Sequence, residues 1–366
     1  MNKAIKYRLY PTKEQALLFI KTFGCCRKVY NLMLEDKIAH YEATGEMLKT
    51  TPAQYKSDYP FLKEVDSLAL ANVQLNLQSA FSGFFKGNTG FPKYKSAKRS
   101  RRTYTTNNQN GTVALADKHI RLPKAGMVKA VIHRKPETDW KLKSATVSQE
   151  SDGKFYASVL FEFDKTVEPA PKSDNAVGLD YKSDGLFVDS NGRIGSNHKY
   201  YRESQVKLAK AQRKLKHKTI GSNNYIKQQL KIAKIYKQAA NRRLDNLHKL
   251  STEIANQYDI VCVEDLNMRA LSNKGFGNGK ATMDNGYGLF LNLLEYKLAD
   301  RGKYFVKVGK LYPSSQTCSR CGALHPEMKV SKYHCKEYLD CECGAHIQRD
   351  YNAAINIRNE GLRVLG

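Results

Sequence analysis

The feature that most constrains this chain is a cluster of cysteines near its C-terminus. Five of the eight cysteines lie within 26 residues, and they are Cys318, Cys321, Cys335, Cys341 and Cys343. The motifs "TCSRCG" and "CECG" are pairs of closely spaced thiols followed by glycine, a pattern typical of a zinc ribbon with four thiolate ligands. We predict one structural zinc ion held by Cys318, Cys321, Cys341 and Cys343. Because the second pair has a spacer one residue shorter, Cys335 or a nearby histidine (His334, His346) stays open as a substitute ligand.

The charge balance indicates a polyanionic partner. The 61 Lys and Arg against 35 Asp and Glu leave a formal charge of +26 in 366 residues, and neutralising phosphates releases counterions and drives binding. We therefore expect nucleic acid rather than a membrane surface, since no apolar run approaches the roughly 20 residues of a spanning helix. The N-terminal "MNKAIKYRLYPTKEQ" lacks the apolar region of a signal peptide, so we expect a cytoplasmic protein.

Two segments concentrate the positive charge. Residues 91–104 interleave aromatic residues with six basic ones, and residues 205–249 carry 13 Lys or Arg and one acid, Asp245. Charge runs are commonly solvated helix faces, but this bias is too one-sided for salt-bridged decoration. We expect contacts to phosphate, with aromatic rings available to stack bases. The candidate residues are Lys93, Lys95, Lys98, Arg99, Arg101, Arg102, Lys207, Lys210, Lys214, Lys227, Lys231 and Lys234.

The periodicity divides the chain into two halves. A strand at 3–9 precedes a helix that Thr12 and Gln15 cap, and helical spacing continues to about Phe85. Several short strand-like runs follow, which indicate a small barrel or sandwich, and a polar, proline-containing linker follows at 164–176. The second half alternates strands and helices and is therefore α/β, with 205–249 as a long helical stretch and 269–288 as a mobile loop.

Three carboxylates lie in or directly after apolar strands or at the start of a helix, where a charged side chain needs an explanation. Asp180 lies in "VGLDY", Glu264 follows "IVCV", and Asp350 opens the last helix. Burying an unpaired charge is costly, whereas Mg²⁺ prefers such oxygen ligands and offsets the repulsion among acids. Each acid taken singly is also compatible with a helix cap or a surface salt bridge. The nearby alternatives are Asp184, Asp189 and Asp265.

These motifs in this order resemble the TnpB family of insertion-sequence-borne, RNA-guided nucleases, which are regarded as ancestral to type V CRISPR effectors. The motifs are "VGLDY", "IVCVEDLNM", "LLEYKLADRGKYFVKV", "YPSSQTCSRCG" and "CECGAHIQRDYNAAINI", with "YRLYPTKEQ", "CRKVYNLML" and "GFPKYKSAKRS" upstream. The resemblance implies a multidomain α+β protein. Its parts would be a wedge β-barrel (1–10 and 90–165), a helical recognition domain (11–89), a linker (166–176), an RNase H-like RuvC nuclease domain (177–316 and 345–366) and a zinc ribbon (317–344).

The resemblance also implies the activity and the residues that carry it. The metal-binding acids of the family fall on Asp180, Glu264 and Asp350, which would hold two Mg²⁺ ions. The implied reaction is cleavage of double-stranded DNA next to a short motif, directed by a guide RNA from the same element. The expected partners are therefore that RNA and the target DNA, with a monomeric protein on the RNA.

Two departures from the family pattern and three rival functions stay open. Tyr181, Lys182 and Ser183 stand where the family commonly has an apolar residue and glycine, and the second cysteine pair is short. The rivals are a catalytically silent RNA-guided repressor, a CRISPR-associated effector of the same fold and a DNA transposase. No His-x-His pair with a partner tyrosine supports the last of these.

Overall fold

The computed structural model describes residues 1–171, 173–195, 198–268, 284–329 and 336–366. The chain forms two compact units, Met1–Lys165 and Thr166–Gly366. In these ranges no helix is long and apolar enough to cross a membrane.

The first unit is built on an antiparallel sheet of seven strands. The strands are β1 (Asn2–Tyr10), β2 (Arg102–Asn107), β3 (Ala114–Ala116), β4 (His119–Leu122), β5 (Gly126–Val131), β6 (Lys141–Gln149) and β7 (Phe155–Glu162). Their order is β2-β6-β7-β1-β5-β4-β3, and the sheet is curled. The predicted strands are all present. The edge strands β2 and β3 are not paired with each other within the described residues, so the sheet is not a barrel closed by hydrogen bonds.

Two helices pack against this sheet. Helix α1 (Lys13–Thr44) begins with the predicted capping box, in which the Gln15 amide donates to Thr12 Oγ1 and the Thr12 amide donates to Gln15 Oε1. Helix α2 (Ser67–Phe85) follows two short 3₁₀ turns. Phe19 of α1 contacts the rings of Tyr104 and Phe155 on the sheet. The predicted helical segment 11–89 therefore shares one hydrophobic core with the strands.

The second unit contains a mixed sheet of four strands. The strands are β8 (Ala176–Tyr181), β9 (Phe187–Asp189), β10 (Ile260–Glu264) and β11 (Tyr304–Val308), in the order β11-β10-β8-β9. Strands β8, β10 and β11 are parallel, and β9 pairs antiparallel with β8. The predicted strands at "AVGLDY", "IVCVE" and "YFVKV" are therefore confirmed, and the parallel arrangement brings their carboxyl ends to one edge.

The helices of this unit cover both faces of the sheet. They are α3 (Tyr200–Lys216), α4 (Asn223–Gln257), α5 (Tyr287–Ala299) and α6 (Arg349–Leu365). Val261 and Val263 share a core with α4 and α5, while Ile260 and Cys262 share one with Ile357 of α6. This alternation is the two-residue period of a strand buried on both sides.

The predicted helical stretch at 205–249 is two helices. Helix α3 ends at Lys216, and Gly221, with a φ of +85°, lies in the turn directly before α4. The Ser222 hydroxyl then accepts a hydrogen bond from the Tyr225 amide and begins α4. Residues 269–283 of the predicted loop at 269–288 lie outside the described residues. The last two residues of that predicted loop, 287 and 288, belong to α5.

A third, two-stranded sheet follows the first cysteine pair. Strands β12 (Tyr338–Asp340) and β13 (His346–Gln348) form an antiparallel hairpin around the second pair, and β13 leads directly into α6. Cys318, Leu339 and Ala345 form a small core of their own with Met328.

Candidate metal centres and nucleic-acid surfaces

The three predicted acids converge at one end of the four-stranded sheet. Asp180 and Glu264 lie at the carboxyl ends of β8 and β10, and the register that pairs Leu179 with Val263 makes them neighbours. Both follow the alternation that faces α6, whose first turn carries Asp350. The arrangement arises because parallel strands in an α/β sheet present their carboxyl ends together, where ligands bind.

The charges of Glu264 and Asp350 act on Asp180. Burial raises the pKa of Asp180 well above its usual value, and the nearby carboxylates of Glu264 and Asp350 raise it further. Burial also raises the pKa of Glu264, although the Ser314 hydroxyl that donates to Glu264 Oε1 opposes this effect. Repulsion of this kind is relieved when a cation binds between the carboxylates, and oxygen-only donors suit Mg²⁺.

Asp350 has a different environment because two cations contact it. Lys182 Nζ lies 2.9 Å from Oδ2, and Arg349 Nη2 lies 2.7 Å from Oδ1. Burial alone would raise the pKa of Asp350, but these hydrogen bonds outweigh it and hold the pKa below its usual value. Sequence reasoning missed both partners. The one signal in the sequence was that Lys182 is among the residues that depart from the family pattern.

The segment between β11 and the cysteines is fastened to α6 by buried asparagines. Asn356 Nδ2 donates to the carbonyl oxygens of Ser314 and Thr317, at 2.8 and 2.6 Å. Asn352 Nδ2 also donates to Thr317, at 2.7 Å, and its Oδ1 accepts from the Ser319 amide, at 2.9 Å. One helix therefore carries Asp350 and holds Ser314, the residue that contacts Glu264.

The cysteine cluster has the geometry of a tetrahedral metal site. The sulfur atoms of Cys318, Cys321, Cys341 and Cys343 all lie within 4.8 Å of one another. Sγ of Cys318 lies 3.8 Å from that of Cys343, and Sγ of Cys321 lies 3.5 Å from that of Cys341. A Zn–S bond of about 2.3 Å in a tetrahedron gives sulfur separations of about 3.8 Å. The cluster could therefore hold a structural metal such as zinc, with Cys341 as a member. Cys335 and His334 lie outside the described residues.

Each cysteine pair is shaped by a glycine with a positive φ. Gly322 (+82°) and Gly344 (+80°) follow the two pairs, and their amides donate to the carbonyl oxygens of Cys318 and Cys341. Burial would raise the pKa of Cys318, but amide hydrogen bonds to its sulfur outweigh it and lower the pKa to about 7. A thiolate at neutral pH is the form that binds metal.

Of the described groups of three or more His, Cys, Asp or Glu side chains, only the four cysteines have ligand atoms that all lie within 4.8 Å. The three acids stand further apart, with Asp350 held by Lys182 and Arg349.

The predicted basic residues are exposed with one exception. Lys95 is half-buried, and its Nζ lies 3.7 Å from the ring centre of Tyr30, so it packs within the first unit. The side chains on α3 and α4 are solvent-exposed and form no ion pair with any acid in the described ranges; they are Lys207, Lys210, Lys214, Lys227, Lys231 and Lys234. Lys93, Lys98, Arg99, Arg101 and Arg102 are also exposed.

Comparison with known proteins gives matches along most of the chain. A sequence profile described as a probable transposase matches residues 147–274, and one described as a Cas12f1-like TNB domain matches 287–357. A third, described as a helix-turn-helix domain, matches residues 1–46. In this structure that segment contains β1 and the single helix α1.

A Streptomyces pristinaespiralis protein named "Putative RNA-guided DNA endonuclease" is 35% identical, covering 99% of this chain and 90% of its own length. An Escherichia coli (strain K12) protein named "Putative RNA-guided DNA endonuclease InsQ" is 28% identical, covering 99% of this chain and 93% of its own length. The chain belongs to the TnpB family. TnpB-like protein L79 of Acanthamoeba polyphaga mimivirus is 28% identical over 36% of the chain. The resemblance predicted from the motifs is therefore confirmed.

The chain also shares its fold with a solved structure. The protein of a Cas12f1–sgRNA–target DNA complex superposes with a TM-score of 0.63 at 15% identity, covering 98% of this chain and 99% of that one. The predicted multidomain α+β architecture is thus confirmed at the level of the whole chain.

Proposed function

We propose that this protein is an RNA-guided, Mg²⁺-dependent DNA endonuclease encoded by a transposable element. The observation that carries the proposal is the convergence of Asp180, Glu264 and Asp350 at the carboxyl edge of a parallel sheet. Burial, and then the charges of Glu264 and Asp350, raise the pKa of Asp180 there. The names of the full-length relatives support the same activity. The domain boundaries implied by the resemblance, with a wedge, a recognition domain and a RuvC-like nuclease domain, are part of the proposal.

In this proposal the acids hold two Mg²⁺ ions, which would supply Lewis-acid stabilisation of the phosphodiester and lower the pKa of an attacking water. The chain itself supplies the orientation. Ser314 fixes the carboxylate of Glu264, while Lys182 and Arg349 fix that of Asp350. Arrangement of charged ligands before substrate arrives is what allows such a site to stabilise developing charge.

The remaining parts take the roles that their chemistry suits. Zinc held by the four cysteines is structural, because a complete set of protein ligands leaves no open coordination position. The exposed lysines of α3 and α4 neutralise phosphates of the guide RNA or the target DNA. Base pairing with the guide reads the sequence, and the protein contacts the backbone of the heteroduplex.

The test uses the purified full-length protein with its co-purifying RNA. That RNA is sequenced, its guide portion is rewritten, and a plasmid library with a matching target and randomised flanks is incubated with Mg²⁺ or with chelator. We expect guide-dependent cleavage with Mg²⁺ and none with chelator. In Asp180→Ala, cleavage should be lost while RNA binding is retained. Guide-dependent DNA binding without cleavage in Mg²⁺ would instead establish the silent repressor.

A further inference from the structure

Six exposed lysines of α3 and α4 are regularly spaced along each helix. On α3 they recur after three and then four residues, and on α4 after four and then three. Because an α-helix completes a turn in about 3.6 residues, each set forms one row, about 10 Å long. The two rows together, which we call the lysine face, are Lys207, Lys210 and Lys214 on α3 and Lys227, Lys231 and Lys234 on α4.

Contacts between α3 and α4 place both rows on the same face of the hairpin that these helices form. Gln228 Nε2 donates to the carbonyl oxygen of Ala211, at 2.7 Å, and at this register the two rows run alongside each other. One turn before the α3 row, Glu203 forms an ion pair with Arg242 across the helices, at 3.0 Å. Since Glu203 continues the α3 row and Arg242 lies about two turns beyond the α4 row, this ion pair marks the face that both rows share.

The opposite face of the hairpin has a different composition. It carries the uncharged side chains of Gln205, Gln212 and Gln229. Gln212 Nε2 donates to the hydroxyl of Tyr236 across the two helices, at 3.3 Å, and the Tyr236 ring stacks on that of Tyr201. The lysines of the other face have no acidic partner in the described ranges, so phosphates bound there would relieve their mutual repulsion.

The shape of the lysine face favours an A-form double helix. Residues 207–214 and 227–234 contain no aromatic residue, so this face lacks the rings on which proteins stack the bases of single strands. Two packed helices form a surface about 20 Å wide, which does not fit into the major groove of B-form DNA, about 12 Å across. The minor groove of an A-form helix is wide and shallow, so a flat surface can reach the phosphates of both strands.

The hairpin is continuous with the core of the sheet that carries the acids. Helix α4 runs without a break from the α4 row to Leu247 and Ile254, which share a core with Val261 and Val263 of β10. Along the helix, the row ends about 20 Å before Leu247. A duplex bound to the lysine face is therefore held by the same unit as the three acids. This position suits the hybrid of guide RNA and target DNA, because its DNA strand belongs to the substrate.

We infer that the lysine face binds the guide RNA–target DNA hybrid across its minor groove, with one lysine row on the phosphates of each strand. The inference rests on the proposed RNA-guided function and adds to it the surface that holds the hybrid. Lysines that contact phosphates carry no sequence information, so this surface accepts any guide, and base pairing alone reads the target.

The decisive variant combines Lys210→Gln with Lys231→Gln, which removes the middle lysine of each row and keeps a side chain of similar helix propensity. The matched control combines Arg202→Gln with Arg213→Gln. These arginines are exposed, and their spacing places them on the side of α3 turned away from α4, so the control removes the same charge from outside the lysine face. For each full-length protein, binding of guide RNA is titrated first. Binding of complementary single-stranded DNA to the protein–RNA complex is titrated next, in chelator, and both Kd values are followed over a range of salt concentrations.

For the lysine variant we expect the slope of log Kd against log salt concentration to decrease by about two for complementary DNA, because each lost phosphate contact removes about one unit of slope. Its slope for guide RNA should equal that of the wild type, and the control should equal the wild type in both titrations. An unchanged slope for complementary DNA, a decreased slope for guide RNA, or an equal decrease in the control would overturn the inference. A wild-type complex that binds complementary DNA no more tightly than unrelated DNA would instead overturn the proposed RNA-guided function.

Discussion

Adding a single methyl group at Gly178 should move Asp350 away from Asp180. Gly178 lies on β8 two residues before Asp180, on the face that contacts α6. A Cβ at this position would lie 2.6 Å from the backbone N of Arg358, and it would lie closer still to the carbonyl oxygen of Ala354. Both atoms belong to the backbone of α6, so neither can rotate away.

The size of the effect follows from these contacts. Moving from 2.6 Å to an ordinary contact of 3.4 Å requires a shift of about 0.8 Å, and the contact with Ala354 requires more. Helix α6 must therefore move from β8 by on the order of 1 Å in Gly178→Ala. Because α6 carries Asp350 and β8 carries Asp180, the shift acts directly on their separation. A misplacement of about 1 Å in a catalytic group costs roughly 100-fold in rate.

The assay compares single-turnover cleavage and thermal unfolding for Gly178→Ala and Gly309→Ala. A Cβ on Gly309, after β11, would meet nothing within 4 Å. Gly178→Ala should cleave about 100-fold more slowly and lose about 1–3 kcal/mol in the free energy of unfolding, while Gly309→Ala should match wild type in rate. Cleavage by Gly178→Ala within threefold of wild type would refute the argument that this close approach sets the spacing of the acids.

Three further outcomes are expected. Lys182→Gln removes the ammonium that orients the carboxylate of Asp350, so the Mn²⁺ concentration that half-saturates cleavage should rise about tenfold; an unchanged or lower value would contradict this orienting role. Zinc content, measured on purified protein, should drop from one ion per chain to near zero in Cys341→Ser and stay at one in Cys335→Ser, and the reverse would move the ligand to Cys335. Burial lowers the pKa of Lys297 from 10.5 to about 8, so the unfolded chain binds more protons between these values and stability should rise with pH there. In urea unfolding, the free energy of unfolding of the wild type relative to that of Lys297→Met should rise by up to about 1.4 kcal/mol per pH unit in this range. The same pH dependence in both proteins would contradict this prediction.

The sequence was sufficient to predict the features that depend on local pattern. The strand-end positions of Asp180 in "VGLDY" and Glu264 in "IVCVE" were readable from the sequence, and the family resemblance grouped these acids into one site. They lie together because parallel strands bring their carboxyl ends to one edge. The capping box at Thr12 was also predictable, because both of its hydrogen bonds join residues only three positions apart in the chain. The start of α4 also had a signal, because Gly221 favours a turn and Ser222 is a preferred helix cap.

Features that depend on distant contacts could not be read in this way. Lys182 is 168 residues from Asp350, and Ser314 is 50 residues from Glu264. No spacing rule connects such pairs, because the sheet and α6 bring them together only in the folded chain. The prediction of a small barrel or sandwich left closure of the sheet open for a related reason. Alternation identifies a strand, whereas closure depends on whether the two edge strands reach each other.

The position of the cysteine cluster follows from the way α6 is held. Its N-terminal turn carries Asp350, and this turn follows β13, whose hairpin partner β12 precedes Cys341. Further along the helix, Asn352 and Asn356 hold the chain that runs from Ser314 to the first cysteine pair. A metal that joins both cysteine pairs therefore joins the two chain segments on either side of the start of α6. Because one segment positions Glu264 through Ser314 and the other begins the helix of Asp350, a structural ion bound by the cysteines would fix the relative placement of two of the three acids.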